Sequence, residues 1–154
     1  MFFSNDRKQL REEYFSVWSK HQSSAILTPL ESQILSVIQE HPEYQLMFDN
    51  REKFLEQDFS PEMGETNPFL HMALHLSIRE QESTNRQNGM KKIVSNCIQH
   101  FADRHQAEHF LMDALVESIW QSQKAQQSQQ TQLPQDDKSY LKLLKKHLRK
   151  HNIG

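Results

Sequence analysis

The sequence predicts an all-α fold, a single-domain helical bundle of about five to six helices with short helices packed across it. Three observations carry this reading. Gly and Pro number only 3 and 5 in 154 residues, too few for the turns of a β architecture. Apolar residues recur at helical spacing along most of the chain. Two helix starts are written out in full, each a capping residue followed by proline at the first helical position, at Thr28-Pro29 and Asn67-Pro68.

Leu10, Tyr14, Phe15 and Trp18 make a first amphipathic helix over roughly residues 6–20, capped at Asn5 or Asp6. Thr28-Pro29-Leu30-Glu31 reads as a capping box, and Leu30, Ile34, Val37 and Ile38 form the buried stripe of a second helix that ends before Pro42. Between His41 and Phe59 the apolar residues come in shorter clusters, which predicts one or two short helices. From Pro68 to Ile78 the segment is apolar almost all round, as a central helix would be. Gly89 breaks the chain before a helix carrying Met90, Ile93, Val94, Cys97, Ile98 and Phe101. Asp103 caps the next, which runs through Phe110, Leu111, Leu115 and Ile119 to Trp120. Residues 1–125 are thus read as the bundle, the Gln-rich stretch 126–136 as a linker and 137–154 as a basic C-terminal helix.

Composition narrows the function. One cysteine, Cys97, excludes an internal disulfide and a cysteine-rich zinc knuckle, and its place on an apolar helical stripe makes it a buried small hydrophobe. Trp18 and Trp120 read as core anchors, and Met63, Met72, Met90 and Met112 as packing. The opening Met1-Phe2-Phe3-Ser4-Asn5-Asp6-Arg7 runs at once into charged residues and the chain holds no apolar run of about 20 residues, so no signal peptide or membrane span is expected and the location is read as cytoplasmic. Phosphate-loop, dinucleotide and nucleophile-elbow motifs do not occur. The net charge of −2 is unevenly spread: residues 136–154 carry +4, leaving −6 for the rest.

The chemistry lies in two HxxxH pairs, His71 with His75 and His105 with His109. Residues four apart on a helix share a face, so each pair offers two imidazoles to one point. Two such pairs on neighbouring helices would give four nitrogen ligands, suited to zinc, iron, copper or nickel and poor for magnesium or calcium. Zinc or iron is the expected cofactor. At 100° per residue, Glu82 lies about 20° from His71 and Asp113 about 40° beyond His109, which makes both candidate additional ligands or partners of the ligands. Glu108 stands inside His105-Gln106-Ala107-Glu108-His109, the HxxEH pattern of inverted zinc peptidases, but this chain is too short for their scaffold. His41 and His100 are read as core histidines satisfied by ordinary hydrogen bonds. Four buried imidazoles without partners would cost about 4–12 kcal/mol, comparable with the whole stability of a domain, so the paired histidines must have partners, metal or otherwise. Ligation needs neutral rings and should fade below about pH 6.5.

The strings His41-Pro42-Glu43-Tyr44, Asn67 to His75 with Glu80-Gln81, and Arg104 to His109 with Glu117 and Trp120 resemble an uncharacterised bacterial family, domain of unknown function number 1841. The opening helix with Arg11, Phe15 and Trp18 extends the resemblance over most of residues 1–125. It implies a small, cytoplasmic, proteobacterial protein and supplies no activity. Gln45 stands where a further histidine is expected, which weakens His41-Pro42-Glu43-Tyr44 as a ligand cluster, and Arg86-Gln87-Asn88 lacks an expected proline. The Gln-rich linker and basic tail look peculiar to this branch. The leading reading is a metal-binding bundle. The alternative is a non-catalytic interaction module with structural core histidines, whose C-terminal helix docks an acidic protein partner. Nucleic acid is disfavoured because only Tyr140 is interleaved with the tail lysines.

Overall fold

The computed structural model describes residues 4–59, 67–86, 89–127 and 137–154. Among these residues there are eight α-helices, one 3-10 turn and no strand. The helices are α1 (Ser4–Gln22), α2 (Pro29–Gln39), α3 (Gln45–Phe48), α4 (Arg51–Leu55), α5 (Pro68–Ser83), α6 (Met90–Phe101), α7 (Arg104–Gln127) and α8 (Asp137–Lys150), with the 3-10 turn at Pro42–Tyr44. The count exceeds the expected five to six because the segment after Pro42 breaks into pieces as short as α3, with 4 residues, and α4, with 5. Met63 and most of the Gln-rich linker lie outside the described residues. The chain divides within α5 into two compact units, Met1–Leu76 and Ser77–Gly154.

In the first unit, α2 starts where the capping box places it. Thr28 Oγ1 accepts from the Glu31 backbone N–H at 3.1 Å, and a Glu31 carboxylate oxygen accepts from the Thr28 N–H at 2.9 Å. Lys20 of α1 pairs with that same carboxylate, which ties α1 to the start of α2. Tyr14, Phe15 and Val17 of α1 pack with Ile34, Val37 and Ile38 of α2, Met47 and Phe48 of α3, Leu55 of α4, and Phe69 and Met72 of α5. Phe15 meets Phe48 edge-on at 5.4 Å and Tyr14 meets Phe69 at 5.9 Å, the geometry that aromatic quadrupoles favour.

Two members of the expected stripes face outward. Leu10 is 41% exposed, and its place is taken by Arg11, only 1% exposed. Arg11 Nη1 donates to the carbonyls of Phe54, Leu55 and Gln57 at 3.2, 3.2 and 2.8 Å, satisfying the C-terminal end of α4, while its guanidinium lies 4.8 Å from the Phe69 ring centre. Leu30, at the open first turn of α2, is likewise exposed.

In the second unit the break at Gly89 is enforced by backbone conformation. Gly89 has φ of +143°, and the Asn85 side chain accepts from the N–H groups of Gly89 and Lys91, capping α6. Met90, Val94 and Cys97 bury one stripe of α6. Ala102, left-handed at φ of 54°, turns the chain into α7. Asp103 then caps α7 through the Gln106 N–H at 3.2 Å. Ala107, Leu111, Ala114 and Leu115 of α7 are buried, as are Tyr140, Leu144 and Leu148 of α8. The Tyr140 hydroxyl donates to Gln81 Oε1 at 2.9 Å in the interior. Trp120, expected as a core anchor, is 57% exposed, with the Lys124 ammonium 5.1 Å from its ring centre. No helix among the described residues is long and apolar enough to cross a membrane.

Candidate metal centre

The histidines of the first unit are assembled by two helix boundaries. α2 stops at Gln39, ahead of Pro42, which cannot donate a helical hydrogen bond and disfavours helix in the residue before it. The backbone N–H of His41 still reaches Ile38 O at 3.0 Å, so the ring folds back along α2. His41 is 2% exposed, and its Nδ1 lies 2.8 Å from Val37 O. A carbonyl can only accept, so Nδ1 carries a proton and, in the neutral ring, Nε2 carries the lone pair. Tyr44, at the end of the 3-10 turn, stacks on His41 with ring centres 5.2 Å apart and planes 6° apart.

Across from this turn stands α5, started by Asn67, whose Oδ1 accepts from the N–H groups of Phe69 and Leu70 at 3.0 and 3.2 Å. One turn in, it presents His71 and His75. The ring centres of His41, His71 and His75 are mutually 4.9 Å apart. His75 is fully buried, and its Nε2 lies 3.3 Å from Nε2 of His71; if both rings are neutral, one of these nitrogens donates and the other accepts.

In the second unit His105 and His109 share one face of α7, with ring centres 4.2 Å apart. Glu108, beside them, is wholly buried and bound at both oxygens. Arg79 donates from Nε to Oε2 at 2.9 Å and from Nη2 to Oε1 at 3.1 Å, and Arg104 adds a bond to Oε2 at 3.2 Å. Arg104 also holds both oxygens of Glu82, at 2.9 and 3.2 Å, and these hydrogen bonds push its own pKa up. The two-pronged geometry is the strong form of the arginine–carboxylate bond, and it offsets the cost of burying Glu108. To act as the water-activating base of an HxxEH site, Glu108 would first have to leave these arginines.

The first unit thus brings three imidazoles together, His41, His71 and His75, and the second brings two, His105 and His109. Four of these five residues belong to the HxxxH pairs, and His41 joins the first pair from the turn after α2. Glu82 and Glu108 are partners of arginine, and Asp113 is exposed. His41 belongs to no HxxxH spacing, so the sequence alone reads it as a core histidine. The signal available was its position between a helix end and a proline turn.

A family model described as "Domain of unknown function (DUF1841)" matches residues 6–146. The chain belongs to the DUF1841 family. The match reaches past the Gln-rich stretch into α8, as far as residue 146. No curated protein and no solved structure matches this DUF1841 chain.

Proposed function

We propose that this DUF1841 protein binds one transition-metal ion through the histidine cluster of its first unit, His41, His71 and His75. The observation that carries the reading is the set of three imidazole rings with centres mutually 4.9 Å apart, those of His41 and His75 buried. Three neutral imidazoles make an all-nitrogen donor set, matched to zinc, copper, nickel or ferrous iron rather than to the oxygen-seeking magnesium or calcium. The hydrogen bond from His41 Nδ1 to Val37 O supports the reading, because metal-ligating histidines are commonly held this way, with the opposite nitrogen turned to the ion. Zinc and iron are the first metals to test.

The test is elemental analysis of tag-free protein purified without chelator, with three single variants beside it. We expect near-stoichiometric metal in the parent, lost in each of His41→Ala, His71→Ala and His75→Ala. A folded parent that contains no metal and takes up neither zinc, iron, copper nor nickel would overturn the proposal, as would metal retained in both His41→Ala and His75→Ala.

A further inference from the structure

A second feature lies far along the chain from these histidines, on α8. Lys138, Lys142, Lys145 and Arg149 follow one another by 4, 3 and 4 residues, which places them within an arc of about 60° along about 16 Å of helix. All four are exposed. Some exposed cations elsewhere have carboxylate partners, Lys8 with Glu56 and Arg51 with Glu12, whereas among the described residues these four form no ion pair. The other side of α8 is already used, because Tyr140, Leu144 and Leu148 are buried.

Beside the stripe runs a groove of about 350 Å³ between α6 and α8, with Ile93, Leu141 and Leu148 among its apolar lining and Lys92, Lys145 and Arg149 as its cations. Among the described residues, no acidic and no aromatic side chain lines it. We propose that this stripe and groove form a docking site for an acidic amphipathic helix of a partner protein. A helix with carboxylates spaced to match would meet the four cations, and an apolar residue beside them would enter the groove, the helix-in-groove mode of recognition. Nucleic acid fits less well because the groove offers its bases no stacking platform. A bilayer fits less well because the apolar residues line a recess instead of projecting.

The test is fluorescence anisotropy with a labelled peptide of about 18 residues, bearing glutamates at this 4-3-4 spacing with leucines on the adjoining face. The competitors are a scrambled peptide of identical composition, a single-stranded oligonucleotide and vesicles of phosphatidylcholine with phosphatidylglycerol. We expect the patterned peptide to bind at least about tenfold tighter than the scrambled one and to weaken by roughly tenfold or more between about 50 and 300 mM NaCl. The double variant Lys145→Glu/Arg149→Glu should lose binding, and Lys53→Glu on α4 should keep it. If that double variant melts early, Lys138→Glu/Lys142→Glu at the other end of the stripe makes the same test. Equal binding of the scrambled peptide, tighter binding of the oligonucleotide or vesicles, no binding of the patterned peptide, or unchanged binding in a folded double variant would each overturn the proposal.

Discussion

His41 and His71 show how far single residues can be read from a sequence. The HxxxH spacing picks out His71 correctly as a neighbour of His75, since both rings lie on one face of α5. It passes over His41, which reaches α5 only because α2 ends and a proline turn folds the ring back. Spacing along one helix is local information, and a contact made by a chain reversal is not. Cys97 is the opposite case, placed in the core by sequence and fully buried in the structure. Burial pushes its thiol up to about 11, so little thiolate exists near neutral pH. Folded protein at about pH 8 should therefore resist iodoacetamide, and unfolding in guanidinium should expose one reactive thiol. Rapid alkylation of the folded protein would contradict the buried position.

At the scale of the element, starts and stops were legible because their chemistry is local. Thr28, Asn67 and Asp103 cap α2, α5 and α7 as their residue types predict. Which face turns inward was less legible: Leu30 and Trp120 are exposed although apolar, and Arg11 is buried although charged, because neighbouring elements decide these. Thr28→Ala should cost about 1 kcal/mol of stability, read by urea unfolding. Its partner Glu31 makes this pH-dependent. The hydrogen bond from Lys20, and then that from the Thr28 N–H, hold the Glu31 carboxyl below its ordinary value. The stabilisation is therefore fully present above the unfolded value of about 4.3 and is lost as pH falls through the lower folded value. The stability difference between parent and Glu31→Gln should shrink over that acid range, and a difference that grows there would contradict the assignment. Ala102, left-handed at φ of 54°, is strained relative to glycine. Ala102→Gly should accordingly raise stability by roughly 1 kcal/mol, seen as a higher Tm.

For the whole molecule, the all-helical class followed from scarce glycine and proline and from helical periodicity, and the family from strings that a model matches over residues 6–146. The division within α5 had no sequence signal, since the helix runs through it without a break in its pattern. Nor did the docking of α8, whose Tyr140 reaches Gln81 across a sequence separation of 59 residues. Such long-range pairings depend on topology rather than on neighbouring residues. The central claim is that three imidazoles, those of His41, His71 and His75, hold one metal ion, and X-ray absorption at the zinc edge of the zinc-loaded protein tests it most directly. The expected spectrum has about four nitrogen or oxygen neighbours at roughly 2.0–2.1 Å, about three of them with the outer-shell pattern of imidazole, reduced in His41→Ala. A sulfur neighbour near about 2.3 Å, or a spectrum of fully hydrated zinc, would contradict it.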